Sequence, residues 1–265
     1  MKCRETLVLL TNDDGISSEG LSALEDALPR DWTLCVVAPD RARNATSHSL
    51  SLETLIRVQE HAPGRFSTSG TPTDCVNIGV HRLLPRKPDL VLSGINLGGN
   101  LCEDVTYSGT VAAALEARLL NIPSLAFSLA ARDEYFFAPA ARIATRLARA
   151  VLARGLPPGV LLNVNIPNLV DGSRGRIFWT RLGRKHYGDC LIEETDEQGR
   201  PGYRFGRAPM TFLEEEEDGH LVDWRVVEQG DVSVTPLRLN MTDEHFLAGI
   251  AQGAFAEGET WTARN

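Results

Sequence analysis

Two carboxylates stand side by side at Asp13 and Asp14, near the end of the stretch "LLTNDDGI". At an effective dielectric of about 20, two such charges about 4 Å apart repel by roughly 4 kcal/mol. Three arrangements accommodate the pair: solvation, protonation of one member, or a cation between them. Asp is also favoured in turns and helix caps, so an ordinary turn is the competing reading. Neighbouring side chains on a strand point to opposite faces. The two acids therefore converge only if the backbone turns at or just before them, and Gly15 permits that turn. Converged, they join the amide oxygens of Asn44 and Asn96 in an all-oxygen set. Such a set suits a hard divalent cation, Mg²⁺, Mn²⁺ or Ca²⁺, whereas zinc prefers His and Cys.

A second constellation is Ser108-Gly109-Thr110, immediately before the stripe Val111, Leu115, Leu119. That spacing predicts a helix whose N-terminus carries free N–H groups and favours anions, phosphate above all. Simple N-capping by Ser108 or Thr110 is the alternative. Gly98, Gly99 and Gly109 allow backbone to approach a ligand closely. The stretch "SGTPTDCV", with Gly70, Pro72 and Asp74, reads as a loop leading into a helix or as a further wall of the same crevice. His48 is near enough in sequence to act as a general acid, or to be a loop histidine with a structural hydrogen bond. The six histidines show no H-x-x-x-H spacing. No G-x-S-x-G elbow, Walker A loop or helix-opening G-x-G-x-x-G appears, which argues against a serine hydrolase, a P-loop NTPase and a dinucleotide oxidoreductase.

These residues need elements to position them. Continuous apolar runs at 6–10, 33–38, 90–93, 124–128 and 160–164 read as strands buried on both faces. Helical periods lie between them: Leu21, Leu24 and Leu28, ended by Pro29, then the Val111 stripe, then 135–153. The alternation predicts an α/β fold, a Rossmann-like, mostly parallel sheet flanked by helices. Ligands of open α/β sheets bind at the carboxyl ends of strands. Asp13-Asp14, Asn44 and Asn96 each follow a predicted strand. After Pro167 the texture changes to aromatics, Gly and Arg, with the acidic run 214–218, read as a solvated loop. The alternating "GDVSVTPLRLNMT" predicts a strand. We therefore expect a core over 1–167 and a β-rich extension over 168–265. Two hairpin-like pieces cannot bury themselves alone, so the extension must lean on the core or on another subunit.

The 265 residues suffice for a core without staples, and a net charge of −8 argues against a general nucleic-acid or membrane surface. Five cysteines (3, 35, 75, 102, 190) form no C-x-x-C pair, which suits a reduced, cytoplasmic setting. The charged start "MKCRETLVLL" predicts no signal peptide, and no run approaches the roughly 20 apolar residues of a membrane span.

The motifs "LLTNDDGI", "VVAPDRARN", "GTPTDCV", "PDLVLSGINLGGN", "DVTYSGTVAAALEA" and "VSVTPL" occur in one order between Leu9 and Leu237. Together they resemble the motif set of the SurE family, the stationary-phase survival nucleotidases. The resemblance implies a metal-dependent phosphomonoesterase acting on nucleoside 5′- and 3′-monophosphates, with one divalent cation per subunit. It implies metal ligands at Asp13, Asp14 and Asn96. The family's fourth ligand, a Ser after "APDRxR", is Asn44 here, and Ala45 replaces a common Gly. With Asp13, Asp14 and Asn96 as the catalytic set, Ser108, Gly109 and Thr110 would hold the phosphate, with Asn100 as a further donor. Homodimers or homotetramers exchanging the C-terminal extension are also implied, without a membrane or a stable nucleic-acid complex. Two other readings stand beside this one. One is a phosphatase with an aspartyl-phosphate intermediate, whose usual signature is Asp-x-Asp. The other is a non-catalytic, metal-dependent nucleotide sensor.

Overall fold

The first strand, β1 (Leu7–Thr11), is buried along its whole length. Val8 and Leu10 enter one apolar cluster while Leu9 enters another, so both faces of the strand are covered. The computed structural model describes residues 5–170, 175–206, 210–214 and 219–251. Chain order continues through α1 (Glu19–Ala27), β2 (Thr33–Pro39), β3 (Val58–Ala62), β4 (Arg65–Thr68) and α2 (Pro72–Ile78). Next come β5 (Leu90–Leu97), α3 (Gly109–Leu119), β6 (Ser124–Ala130), α4 (Phe137–Arg154) and β7 (Val160–Pro167). Beyond these lie β8 (Ile177–Trp179), β9 (Lys185–Tyr187), β10 (Leu191–Thr195), β11 (Pro201–Phe205) and β12 (Met210–Phe212). The described residues continue through α5 (Asp223–Glu228), β13 (Val232–Arg238) and α6 (Glu244–Ala251).

Among the described residues, the main sheet has nine strands in the order β3-β4-β2-β1-β5-β6-β7-β13-β8. Strands β4, β2, β1, β5, β6 and β7 run parallel, and β3, β13 and β8 run against them. The expected α/β class and mostly parallel sheet are therefore present. Helices α1 and α4 pack together over one face, with Leu21, Leu24, Phe137 and Ile143 against Leu92 and Phe127. Helices α2 and α3 cover the other, where Val76, Ala113 and Ala117 meet Leu9, Val37 and Val91. The chain leaves β1 for β2 on one side and returns as β5 on the other. The strand order thus reverses between β1 and β5, the place where an open α/β sheet leaves a crevice.

All five predicted core strands form. The hairpin β3–β4 carries no such signal, because every residue of β3 is exposed at the sheet edge. After Pro167 the chain divides: β8 and β13 join the main sheet, whereas β9–β12 and β10–β11 form separate two-stranded ribbons. Leu191, Ile192, Tyr203 and Phe205 of the second ribbon are exposed. Of the acidic run 214–218, only Glu214 is among the described residues, and it pairs with Arg225. Cys3 lies outside them. Cys35, Cys75 and Cys102 are buried free thiols. Among the described residues, no helix is long and apolar enough to cross a membrane.

Candidate active site

A cavity of about 350 Å³ opens at the carboxyl ends of β1 and β5. Its walls include Asp13, Asp14, Asn44, Asn96, Asn100 and Ser108, drawn from four separate stretches of chain.

The turn after β1 is built by Asn12, a buried amide. Its Nδ2 donates to Gly15 O at 3.0 Å and to Ser18 Oγ at 2.7 Å, and its Oδ1 accepts from Gly15 N–H at 3.2 Å. Gly15 sits at φ +102°, and a Cβ there would stand 3.1 Å from the Arg41 backbone. Both conditions select glycine. This turn brings the two acids into one cavity. Arg43 N–H then donates to Asp13 O at 2.7 Å, which ties the Asn44 loop to the same turn.

Asp13 is only 5% exposed. Burial pushes its carboxyl above the usual range, opposed by hydrogen bonds from the Thr110 hydroxyl and from backbone N–H groups, those of Thr110 and Gly109 among them. Thr110 Oγ1 donates to Asp13 Oδ1 at 2.5 Å. A Cβ at Gly109 would stand 2.8 Å from Asp13 Cβ, so glycine allows the start of α3 to close on the acid. Burial and the neighbouring charge of Asp13 together raise Asp14 to about 6, against a 3.2 Å hydrogen bond from Leu97 N–H.

Strand β5 runs on past its predicted end to Leu97. Its pairing with β6 carries an extra residue between Ser93 and Asn96, a bulge of the kind that re-aims a side chain. Asn96 Nδ2 donates to Gly98 O at 2.9 Å, which leaves its carbonyl oxygen as an acceptor. Asn44 stands on a loop fastened to the stretch before α3, where Ser47 N–H donates to Tyr107 O at 3.0 Å and Ser47 Oγ to Thr106 O at 2.7 Å. The loop turns through Ala45 at φ +53° and Ser47 at φ +52°.

Of the residues expected around phosphate, Ser108 lines the cavity and also caps α3, accepting from Val111 N–H at 3.1 Å. Gly109 and Thr110 stand behind Asp13 and are not among the cavity-lining residues. Asn100 lines the cavity, and its Nδ2 donates to Ser128 Oγ at 2.7 Å. Its backbone is clamped as well. The N–H donates to Asn165 Oδ1 at 2.8 Å, and the carbonyl accepts from Asn163 Nδ2 at 2.9 Å and Asn165 Nδ2 at 3.0 Å. Sequence reading missed these two asparagines of β7. The signal was their alternation inside the otherwise apolar "LLNVNIP".

His48 lines a neighbouring pocket of about 220 Å³ instead, and its Nε2 lies 2.8 Å from Glu116 Oε2. Burial alone would raise Glu116, but His48 and Asn77 Nδ2, the latter at 2.7 Å, outweigh it and hold the carboxyl below its ordinary range. Asp74 is used in the capping box of α2 with Thr71, so "SGTPTDCV" is the loop leading into a helix. Asp104 and Tyr107, which sequence reading did not single out, complete the cavity wall.

Two carboxylates and two side-chain amides among the residues lining this cavity offer oxygens chemically suited to a hard divalent cation. Among the described residues, no three His, Cys, Asp or Glu side chains are grouped as a metal site. A cation here would be held by the acid pair and neutral oxygens.

Residues 8–189 match the family described as survival protein SurE. A 5′-nucleotidase SurE of Geobacter metallireducens is 44% identical over 253 residues, covering 94% of this chain and 98% of the relative. That of Geobacter sulfurreducens is 46% identical over 237 residues, 89% of each chain. The crystal structure of the SurE protein from Aquifex aeolicus shares the fold with a TM-score of 0.79 and 39% identity, over 93% of this chain and 98% of that one. With the motif order, the sheet and the cavity all in agreement, the chain belongs to the SurE family.

Proposed function

We propose that the cavity hydrolyses nucleoside 5′- and 3′-monophosphates to nucleoside and phosphate with one divalent cation, Mg²⁺ or Mn²⁺, bound per subunit. The observation that carries this reading is the convergence of Asp13, Asp14, Asn44 and Asn96 in one cavity beside the N-terminus of α3. The relatives named 5′-nucleotidase support the reaction class. Asp13 and Asp14 hold the cation, with Asn96 and Asn44 as neutral ligands. Bound there, the ion supplies charge screening and an acidified water. Asp13 is fixed by Thr110, so Asp14, the more exposed of the pair, is the residue placed to accept a proton. Ser108 and the amide of Asn100 face the phosphate oxygens. Tyr107 and Leu97, both exposed at the cavity wall, offer apolar surface to the nucleoside.

In the same reading the protein is a homodimer or homotetramer in which the segment after Pro167 is exchanged between subunits. The exposed Leu191, Ile192, Tyr203 and Phe205 on an isolated ribbon are consistent with such a contact.

Phosphate release from AMP, GMP and 3′-AMP by chelator-stripped protein tests the reaction, with Mg²⁺ or Mn²⁺ added back and Asp13→Asn run in parallel. Activity restored by metal and lost in the variant is the expected result. Metal-dependent nucleotide binding without turnover would overturn it in favour of a sensor.

A further inference from the structure

Asp104 lies in the 3₁₀ turn Cys102–Thr106 and contributes to the cavity wall. A third carboxylate is unwelcome where a phosphate must enter, yet this one does not act as a free charge. Lys185 Nζ of β9 is ion-paired with Asp104 Oδ2, and Tyr187 OH donates to Oδ1 at 2.5 Å. The Lys185 side chain is only 5% exposed, set 5.5 Å from the Phe212 ring centroid and 5.9 Å from that of Tyr187. Burial and the Asp104 charge push the Tyr187 phenol up, so it remains a donor. The main chain of Asp104 is fixed too, because its carbonyl accepts from Tyr107 N–H at 3.0 Å and Ser108 N–H at 3.1 Å. Asp104 is thus one hydrogen-bonded turn away from Ser108, beside the exposed ring of Tyr107.

A carboxylate has about four acceptor positions, and the two donors from β9 occupy two of them. The Asp104 side chain lines the cavity and keeps 24% of its surface exposed, so that remaining capacity can meet a ligand there. On the nucleotidase reading above, on which this inference rests, the group beyond the phosphate is a sugar bearing hydroxyl donors. We propose that Asp104 accepts a hydrogen bond from a sugar hydroxyl of the nucleotide, and that Lys185 and Tyr187 are positioning residues that keep it charge-compensated and aimed. The enzyme then reads the sugar rather than the base. Lys185 also makes the segment after Pro167 part of the substrate site.

The test compares AMP with 2′,3′-dideoxy-AMP, in kcat/KM and in calorimetric affinity with Mg²⁺ present. A hydrogen bond to a charged group corresponds to a preference of about ten- to hundredfold for AMP. In Asp104→Asn that ratio is expected to fall to within about threefold of unity, because the acceptor loses its charge. Tyr187→Phe, which keeps the ion pair, should reduce the ratio partially. Lys185→Met should raise KM for both substrates more than it lowers kcat, and adding Asp104→Asn should relieve that rise, because the uncompensated charge is gone. Equal losses on both substrates in Asp104→Asn would mark a purely structural residue and overturn the proposal. So would a wild-type protein that does not distinguish the two nucleotides, even if it turns both over and the nucleotidase reading stands. If wild-type protein releases no phosphate, the nucleotidase reading fails, and the binding ratio still decides whether Asp104 reads the sugar.

Discussion

Thr110 Oγ1 donates to Asp13 Oδ1 at 2.5 Å, so the first turn of α3 grips the acid that the strand before it delivers. Backbone N–H groups of the same turn reinforce the hold. A buried carboxylate oriented this way resembles the outer-shell support that metal ligands receive, whose loss typically costs 10- to 100-fold in affinity. Thr110→Val keeps the shape and removes the donor. Calorimetric titration with Mn²⁺ is expected to show a loss of about that size, with Thr110→Ser recovering most of it. An unchanged affinity would mean that Asp13 is not a ligand.

The acid pair also sets a pH dependence. Asp14 is raised to about 6 from an ordinary 3.8, and Asp13 shifts the same way. The folded state therefore keeps protons that the unfolded chain has released, and stability falls as pH rises from about 4 to about 6. A bound cation opposes this by favouring both charges. The rise in Tm on adding Mg²⁺ to stripped protein should be larger at pH 7.5 than at pH 5, and Asp14→Asn should shrink the difference. An equal rise at both values would place the ion elsewhere.

Ala45 at φ +53° is a second local cost. An L-residue in the left-handed region loses about 1–2 kcal/mol, whereas glycine there gives up about 0.5–1 kcal/mol more chain entropy on folding. Ala45→Gly is therefore expected to stabilise the protein by up to about 1 kcal/mol in urea unfolding. Ala45→Val should destabilise it, since a β-branched residue fits this region worst.

Burial on both faces is what makes an element legible in the sequence. Apolar runs such as Leu7–Thr11 and Val160–Pro167 declare buried parallel strands because both faces are covered. The acids, Asn96 and Asn44 announced themselves by following such strands. Other features carry no period. The β3 edge is exposed throughout, and the bulge before Asn96 depends on pairing with β6. Thr110 was visible as a candidate, yet its partner, 97 residues distant, was not. Asp104 needed the fold still more, because its partners Lys185 and Tyr187 come from a ribbon whose strands are three residues long.

That ribbon is joined to the cavity through Asp223, which yields the last prediction. Asp223 is fully buried at the start of α5. Its Oδ2 accepts from Cys102 N–H at 2.9 Å, and its Oδ1 accepts from Gly183 N–H at 2.9 Å and Trp224 N–H at 2.8 Å. One side chain thus fastens the turn that carries Asp104 to the segment that leads into Lys185. An amide has a single acceptor oxygen, so Asp223→Asn must present its NH₂ to at least one of these N–H groups. A buried donor left unmade costs about 1–3 kcal/mol, so urea unfolding should show a loss of at least about 1 kcal/mol in the variant. The functional effect should also be selective. With the turn loosened, discrimination between AMP and its dideoxy analogue should drop further than metal affinity, because Asp13 is held by α3 and Asp14 by Leu97 of β5 instead. A variant that loses metal affinity and sugar discrimination together would show that the two halves of the cavity are not independently supported.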